Sequence, residues 1–348
     1  MLLKLTFFLG ILLARLWGPG EASSIQYRFS EELKTWKLSE SLRLLKEEEP
    51  MVSPQPVTIL AFGDIMLDRY VRTLMDRNGL DYPFLQFPEL KSKMLAQLDD
   101  PESKQPPLEA LDFLFANLEG PISDTPYVNN GIAMIFNFKP DVIPPLQKYR
   151  FNLLSVANNH MFDMGEYGST QTRQHLADSG IHHFGYSKGV QAESFWTTTL
   201  DDKATTLSFI GFNDTLTDRL DLPQAVELIQ SVEDKSDFTI ISIHWGREYF
   251  AEPTEEQIKM AHAFIDAGAD IILGHHSHVI GTSEWYKERP IYYSLGNFVF
   301  DQYFQKEVME GLGLAIELTK SSDPAKPNTI EVHETVFDIL KSQPQVRH

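Results

Sequence analysis

The chain has 348 residues, of which 42% are hydrophobic and 23% charged, so it can bury one large core or two small ones. Acidic residues number 49 against 30 lysines and arginines, and the net charge of -19 disfavours binding to nucleic acid phosphates. Cysteine is absent, which excludes disulfides, iron–sulfur clusters, thiolate zinc sites and a cysteine nucleophile.

The first residues are typical of an export signal. Lys4 precedes the apolar stretch Leu5–Leu13, and a patch of small residues follows at Ala22. This apolar stretch is shorter than the roughly 20 residues that a transmembrane helix needs. We therefore predict a signal peptide over residues 1–23 and an exported protein that is periplasmic, associated with the cell envelope or secreted. An uncleaved anchor and a buried N-terminal helix are the alternatives.

A charged segment and a proline linker come next. Residues 24–50 carry leucines at spacings that indicate an amphipathic helix, and prolines stand at positions 50, 54 and 56. The predicted organisation is an N-terminal helix with a proline linker over residues 24–56, followed by one main domain over residues 57–348.

Within the main domain, short apolar runs alternate with helical segments, a pattern that favours an α/β sheet buried on both faces. The predicted strands are Val57–Phe62, Phe113–Ala116, Leu153–Val156, Leu207–Phe212, Thr239–Ile243, Ile271–Leu273, Ile291–Ser294, Gly311–Leu318 and Thr329–Leu340. The predicted helices are Phe84–Leu98, Glu166–Ser179, Leu222–Glu233 and Thr254–Ala267.

Polar residues able to carry chemistry follow the ends of five predicted strands. The clusters are Gly63-Asp64, Asn117–Gly120, Asn158–Asp163, His244–Glu248 and Gly274–His278. Because open α/β sheets bind their ligands at the carboxyl ends of the strands, we expect the five clusters to converge in one cleft.

The first two clusters supply carboxylates. Asp64 can offer an oxygen to a metal ion, and the alternative is a turn residue or helix cap. Arg69 can bind an anionic group of a substrate or form a surface ion pair. Alternation along an extended segment points Asn117 and Glu119 to the same side, where a carboxylate can bridge two cations.

The remaining clusters supply histidines. His160 can protonate a leaving group and Asp163 can orient its ring, although a polar loop would have the same composition. On an extended segment His276 and His278 face the same way, so both can reach one metal centre, whereas His275 points elsewhere. Mixed nitrogen and oxygen ligands suit one or two divalent ions of manganese, iron, zinc or cobalt.

Six ordered motifs between Val57 and Asp301 carry a family resemblance. They are Gly63-Asp64-Ile65-Met66-Leu67, Asn117-Leu118-Glu119-Gly120-Pro121, Ala157-Asn158-Asn159-His160, Ser242-Ile243-His244-Trp245-Gly246, Gly274-His275-His276-Ser277-His278 and Tyr293-Ser294-Leu295-Gly296-Asn297-Phe298. In these segments the sequence resembles the bacterial poly-γ-glutamate capsule-synthesis (CapA) family, which is related to calcineurin-like metallophosphoesterases. The resemblance implies an α/β fold in which two mixed β-sheets form a calcineurin-like sandwich flanked by helices.

The resemblance also implies roles for single residues. The metal ligands would be Asp64 and His278 at the first ion, Glu119 between the ions, and Asn159, His244 and His276 at the second. Catalysis would fall to His160, Asp163 and Arg69, and substrate contacts to Asn117, Glu248 and Asn297. The sequence departs from the wider superfamily at Met66, which stands in place of a histidine ligand, and at Glu119, which stands in place of an aspartate.

By this resemblance the protein is expected to act in the synthesis, export or processing of extracellular poly-γ-glutamate or a related capsule polymer. The reaction would be metal-dependent hydrolysis or transfer at a carbonyl or phosphoryl centre. Expected partners are an anionic polymer or phosphoester substrate and a membrane-associated capsule synthase complex. The alternatives are a phosphoesterase acting on a small substrate and a non-catalytic subunit of an envelope complex.

Overall fold

The computed structural model describes residues 55–98, 111–126, 134–215, 219–323 and 325–347. The predicted signal peptide and N-terminal helix, and all but the last two residues of the proline linker, lie outside these ranges and stay predictions. None of the described helices is long and apolar enough to cross a membrane.

Strands and helices alternate through most of the described chain. The strands are β1 Val57–Ile65, β2 Phe113–Leu118, β3 Leu153–Ser155, β4 His182–Phe184, β5 Phe195–Leu200, β6 Thr205–Asp214, β7 Phe238–Trp245, β8 Ile271–His275, β9 Ser283–Tyr286, β10 Arg289–Tyr292, β11 Asn297–Val299, β12 Glu310–Thr319, β13 Thr329–Leu340 and β14 Gln343–Val346. The α-helices are α1 Arg69–Asn78, α2 Phe87–Leu95, α3 Ile143–Lys148, α4 Gly165–Asp178, α5 Leu222–Glu233 and α6 Glu255–Asp266.

The strands form two mixed sheets. In the first sheet the order is β14-β13-β12-β1-β2-β3-β4, and β11 also pairs with β1. In the second sheet the order is β5-β6-β7-β8-β10-β9. Strands β1 to β4 run parallel to one another, as do β6, β7, β8 and β10, while the outer strands β12 to β14, β5 and β9 are antiparallel to their neighbours.

Three apolar layers hold these elements together. The middle layer joins the inner faces of the two sheets, with Ile59 and Phe115 from the first sheet against Phe209 and Ile240 from the second. A second layer packs the first sheet against helices such as α2, and a third packs the second sheet against α5 and α6. The predicted sandwich of two mixed sheets flanked by helices is therefore confirmed.

All nine predicted strands and all four predicted helices are present, with shifts of a few residues at their ends. Helix α3 was not predicted, because two of its six residues are proline. Helix α1 was not predicted either, because it buries only three apolar side chains in ten residues. It begins where the Asp68 side chain accepts a hydrogen bond from the Arg69 backbone N–H at 2.7 Å. The unpredicted strands β4, β5, β9, β11 and β14 have three to six residues each, too few for a clear pattern.

Side chains at the amino ends of the parallel strands fix their register. In each case an Asp or Asn just before one strand accepts a backbone N–H from the neighbouring strand. The four contacts are Asp112 with Thr58 at 2.7 Å, Asn152 with Leu114 at 2.8 Å, Asp237 with Thr206 at 2.8 Å, and Asp270 with Thr239 at 2.8 Å. Because the register is set at one end, the opposite ends of these strands align as well.

At the carboxyl end of β1, a glycine allows two backbones to approach closely. A Cβ atom on Gly63 would lie 1.8 Å from the carbonyl oxygen of Gly296. The adjacent Asp64 N–H donates to that same oxygen at 3.1 Å. Gly63 therefore brings Asp64 against the segment that leads into β11.

We expect Gly63→Ala to destabilise the fold by several kcal/mol, because the clash is with backbone atoms that cannot move aside. Gly165→Ala is the matched control. Gly165 has a φ of +65° and open space where its Cβ would be, so it should lose only the roughly 1–2 kcal/mol of left-handed strain. Urea unfolding measures both values, and equal losses would contradict the close-approach argument.

Stability should also depend on pH through Asp270. Burial raises the pKa of this carboxyl to about 6, although its contacts with Thr239 and Arg289 oppose the shift. The folded state thus holds the proton more tightly than the unfolded state, so the free energy of unfolding falls as pH rises through the window from about 4 to about 6. We expect this group to account for a loss of about 2 kcal/mol between about pH 4.5 and about pH 7.

Asp270→Asn removes the titrating proton and keeps a side-chain oxygen for the Thr239 N–H. Urea unfolding at the two pH values should therefore show a smaller pH-dependent loss in the variant than in the wild type. Equal losses in both proteins would refute the assignment to Asp270.

Candidate metal centre

The predicted polar clusters lie together where the aligned strands end. Asp64 and Asn117 come from neighbouring strands of the first sheet, and His244 comes from β7 of the second. The Asn117 amide nitrogen is 2.8 Å from Asp64 Oδ1 and 3.3 Å from His244 Nδ1. The two sheets therefore contribute to one buried site.

Glu119 lies at the middle of this site. It is fully buried, and neither carboxylate oxygen has a hydrogen-bond partner among the described residues. Three imidazole nitrogens face its Oε1 atom, namely Nε2 of His160 at 3.9 Å, of His244 at 3.9 Å and of His278 at 3.8 Å. These distances exceed those of direct hydrogen bonds. Metal–ligand bonds of about 2 Å would place two ligand atoms roughly 3–4 Å apart.

Asp64 is the second buried carboxylate. Its Oδ2 atom accepts the His276 backbone N–H at 3.3 Å and lies 3.5 Å from His278 Nδ1. Burial by itself would raise the pKa of Asp64, but its close contacts with the His275 and His278 rings and the charges of the nearby imidazoles hold it well below its usual value. Burial, followed by the charge of Asp64, raises the pKa of Glu119 well above its usual value.

Asp64, Glu119 and His278 together fit a cation. One possible ligand atom from each lies within 4.8 Å of the others, and all three side chains are buried. Two carboxylate oxygens and one imidazole nitrogen suit the borderline divalent metals. A bound cation would also compensate the unpartnered Glu119 carboxylate, whose burial is otherwise costly.

Two further histidines flank this group. His276 Nδ1 lies 3.1 Å from His244 Nε2. Burial, followed by the charge of His276, lowers the pKa of His244 well below its usual value, and burial with the charge of His278 lowers the pKa of His276 to about 4. Both rings are therefore neutral near pH 7, the state in which imidazole binds metals. Asn159 adds a buried Oδ1 atom with no partner among the described residues.

The histidine-rich segment reaches the site by a route that the sequence did not predict. His276 has a φ of 89° and His278 a φ of 59°, so the segment is a turn and the extended alternation expected for it is wrong. His275, expected to point elsewhere, also approaches Asp64, with its Nδ1 atom 3.4 Å from Oδ1. Left-handed backbone at two positions lets the His275 and His278 rings and the His276 backbone N–H all approach the Asp64 carboxylate.

His160 is held near Glu119 by contacts with Asp163 and Phe136. Its Nδ1 atom is 2.8 Å from Asp163 Oδ2, which is the contact expected from the sequence. Its ring also stacks on Phe136 with 4.0 Å between centroids, and the Phe136 N–H donates to Asp163 Oδ2 at 2.7 Å. These contacts fix the ring so that Nε2 faces Glu119.

A known protein family covers most of the main domain. Residues 58–302 match the family described as "Bacterial capsule synthesis protein PGA_cap". The chain belongs to this family.

Several curated proteins are similar to the chain. The capsule biosynthesis protein CapA of Bacillus anthracis is 27% identical over 71% of this chain and 61% of its own length. The PGA biosynthesis protein CapA of Bacillus subtilis is 29% identical over 74% of this chain and 67% of its own length. The chain thus spans about two thirds or less of these two relatives. A solved 5'-nucleotidase from Candida albicans matches 82% of this chain and 51% of its own, with a TM-score of 0.44 and 9% identity.

Met66 of the first family motif, and Asp68 and Arg69 just after it, have partners outside the centre. The Met66 sulfur accepts the Asp68 backbone N–H at 3.1 Å and the side chain is part of the apolar core. The Asp68 carboxylate caps α1 and accepts the Asn137 N–H at 3.0 Å. Arg69 forms an ion pair of 2.6 Å with Asp301, so the guanidinium predicted to bind an anion already has a carboxylate partner.

The residues predicted to contact substrate divide into two groups. Asn117 and Asn297 are fully buried and bond to other site residues, the oxygen of Asn297 lying 3.0 Å from His278 Nδ1. Glu248 is half-buried at the mouth of the site, beside Tyr249. Burial, together with this carboxylate, raises the pKa of Tyr249 to about 12.

An aromatic rim at the mouth was missed by the sequence analysis. We define this rim as Tyr70, Tyr249, Phe250, Tyr303 and Phe304, which expose between 37% and 63% of their surface. Tyr249 joins the rim to the centre, since its ring lies 6.1 Å from that of His278 and 5.1 Å from that of Phe304. The sequence feature that could have indicated this rim is its two pairs of adjacent aromatic residues, Tyr249-Phe250 and Tyr303-Phe304. Trp245, which follows His244 in the fourth motif, is part of the buried core.

We expect the protein to bind Mn²⁺ or Zn²⁺ at the carboxylate pair. Glu119→Gln removes the buried charge and His278→Ala removes an imidazole, so each should lower the affinity at least tenfold, in line with the sensitivity of metal sites to their surroundings. Elemental analysis after incubation with the ion and desalting gives the metal content.

The control is His262→Ala, which removes a histidine that pairs with Glu284 at 2.9 Å outside the site. It should retain the wild-type metal content. Equal metal content in the wild type and both site variants, or none in any of them, would refute the metal centre.

Proposed function

We propose that this protein is a metal-dependent member of the PGA_cap family that acts on extracellular poly-γ-glutamate or a related capsule polymer, during its synthesis, export or processing. The single observation that carries the proposal is the unpartnered, buried Glu119 carboxylate facing three imidazoles. The names of the Bacillus relatives, which concern capsule and PGA biosynthesis, support the choice of polymer. Such a role places the protein outside the cytoplasm, at the envelope, alongside a capsule synthase complex.

The residues that would hold the cation are Asp64, Glu119 and His278, with His244 and His276 beside them. When bound, such an ion polarises a carbonyl or phosphoryl oxygen and activates water. The burial of all five side chains keeps bulk water away from this centre, which strengthens every electrostatic interaction there.

His160 is the residue placed to move a proton. Because the Asp163 carboxylate only accepts, the 2.8 Å contact puts a proton on His160 Nδ1. The Nε2 atom then faces Glu119 Oε1 at 3.9 Å. A ring held in this way by Asp163 and Phe136 can give a proton to a leaving group or take one from a nucleophile at a fixed position.

The aromatic rim favours an extended substrate over a small phosphoester. Phe304 is 63% and Phe250 54% exposed, and large exposed aromatic surface at the mouth of a site commonly marks a binding surface. The Arg247 guanidinium lies 4.3 Å from the centre of the Phe250 ring and has no ion pair with any described residue. A polymer of carboxylates and planar amides could place an amide on a ring and a carboxylate on Arg247.

The test is chain shortening or transfer of poly-γ-glutamate by the Mn²⁺-loaded protein, followed by size-exclusion chromatography. We expect Glu119→Gln and His160→Ala to abolish turnover. Phe304→Ala should raise KM for the polymer about three- to tenfold with little change in kcat, since one aromatic contact is worth about 0.5–1.5 kcal/mol.

Exposed Trp285 on β9, away from the rim, offers the matched control, and Trp285→Ala should leave KM unchanged. The small-substrate phosphoesterase would be favoured if the protein hydrolysed an aryl phosphate and did not act on the polymer. Glu119→Gln would then abolish the hydrolysis of the aryl phosphate, and Phe304→Ala would leave it unchanged. Metal binding without turnover of either substrate would favour the non-catalytic subunit.

A further inference from the structure

Asn297 is a buried amide whose orientation is fixed by its neighbours. Its Nδ2 atom lies 3.0 Å from the carbonyl oxygen of Val308 and 3.1 Å from Gln302 Oε1. A backbone carbonyl can only accept, so the NH₂ group must face Val308. The Oδ1 atom of Asn297 therefore faces the other way, toward the candidate metal centre.

This orientation decides where His278 carries its proton. Asn297 Oδ1 lies 3.0 Å from His278 Nδ1, and an amide oxygen can only accept. His278 must therefore hold a proton on Nδ1 when it is neutral, which leaves a lone pair on Nε2. That Nε2 atom is the one that faces Glu119 Oε1 at 3.8 Å.

The structure assigns to Asn297 the role of a positioning residue that holds His278 in the Nδ1–H tautomer and directs its Nε2 lone pair at the carboxylate pair. Gln302 supports this role from behind, since its Nε2 atom donates to the Tyr249 hydroxyl at 3.2 Å and its oxygen faces Asn297. The network runs from Tyr249 on the rim through Gln302 and Asn297 to His278. Its consequence for metal affinity rests on the proposed function, whereas the tautomer itself does not.

Asp64 is the competing acceptor for the same proton. Its Oδ2 atom lies 3.5 Å from His278 Nδ1, which is beyond good hydrogen-bond geometry, and it already accepts the His276 N–H. The Asn297 oxygen is nearer to His278 Nδ1, at 3.0 Å. The amide therefore governs the tautomer, and Asp64 remains available to a cation.

The test is the ring ¹⁵N spectrum of the metal-free protein labelled at histidine, with the His278 signal assigned by its loss in His278→Gln. We expect an Nδ1–H tautomer in the wild type. Asn297→Asp keeps an acceptor facing His278 but loses the donors to Val308 and Gln302, so the tautomer should persist even where thermal stability falls. Asn297→Val removes the acceptor, so an Nε2–H population should appear and Zn²⁺ affinity should fall about 10–100-fold.

An Nε2–H tautomer in the wild type would overturn the assignment without any substitution at Asn297. So would an Asn297→Val protein with unchanged tautomer and Zn²⁺ affinity, since Asp64 would then suffice. If the tautomer population changed in proportion to the loss of thermal stability in both Asn297→Asp and Asn297→Val, Asn297 would have only a structural role. A correct tautomer with no Zn²⁺ binding would instead refute the proposed metal centre and leave the assignment intact.

Discussion

The register of the parallel strands is the constraint on which the rest of the structure depends. Asp or Asn side chains at the amino ends of β2, β3, β7 and β8 each capture a backbone N–H of the adjacent strand. Because a strand rises about 3.3 Å per residue, a slip of one residue would move a side chain such as Asn117 or His244 out of contact and onto the opposite face. The site at the carboxyl ends is thus fixed by contacts at the other end of the sheets.

The aligned ends create an electrostatic problem that the site residues solve together. Asp64 and Glu119 are both fully buried, and two carboxylates in such surroundings cannot both remain charged without compensation. Asn117 and the imidazoles around Asp64 stabilise that charge, whereas Glu119 has no donor among the described residues. Asp64 is therefore the ionised carboxylate of the centre, and Glu119 is the carboxylate whose charge requires a bound cation.

The sequence predicted the fold because its buried strands are continuous apolar runs and the polar residues of the site come directly after these runs. It predicted which residues meet in the site for the same reason. It could not predict the turn at His276 and His278, since positive φ at a non-glycine residue arises from tertiary contacts. Nor could it foresee the Arg69–Asp301 pair or the Asn297–His278 contact, which join residues 232 and 19 positions apart.

Under the proposed function an acidic protein acts on an acidic polymer, which it would have to bind locally while repelling it elsewhere. At physiological ionic strength charges are screened beyond about 8 Å, so the net charge of -19 acts on each polymer segment only near the surface it approaches. At the mouth, Arg247 and the rim offer a cation and apolar ring faces, and a bound metal would add positive charge at the centre. The acidic surface then limits unproductive binding along the chain, and a polymer segment gains affinity only where it reaches the residues that can act on it.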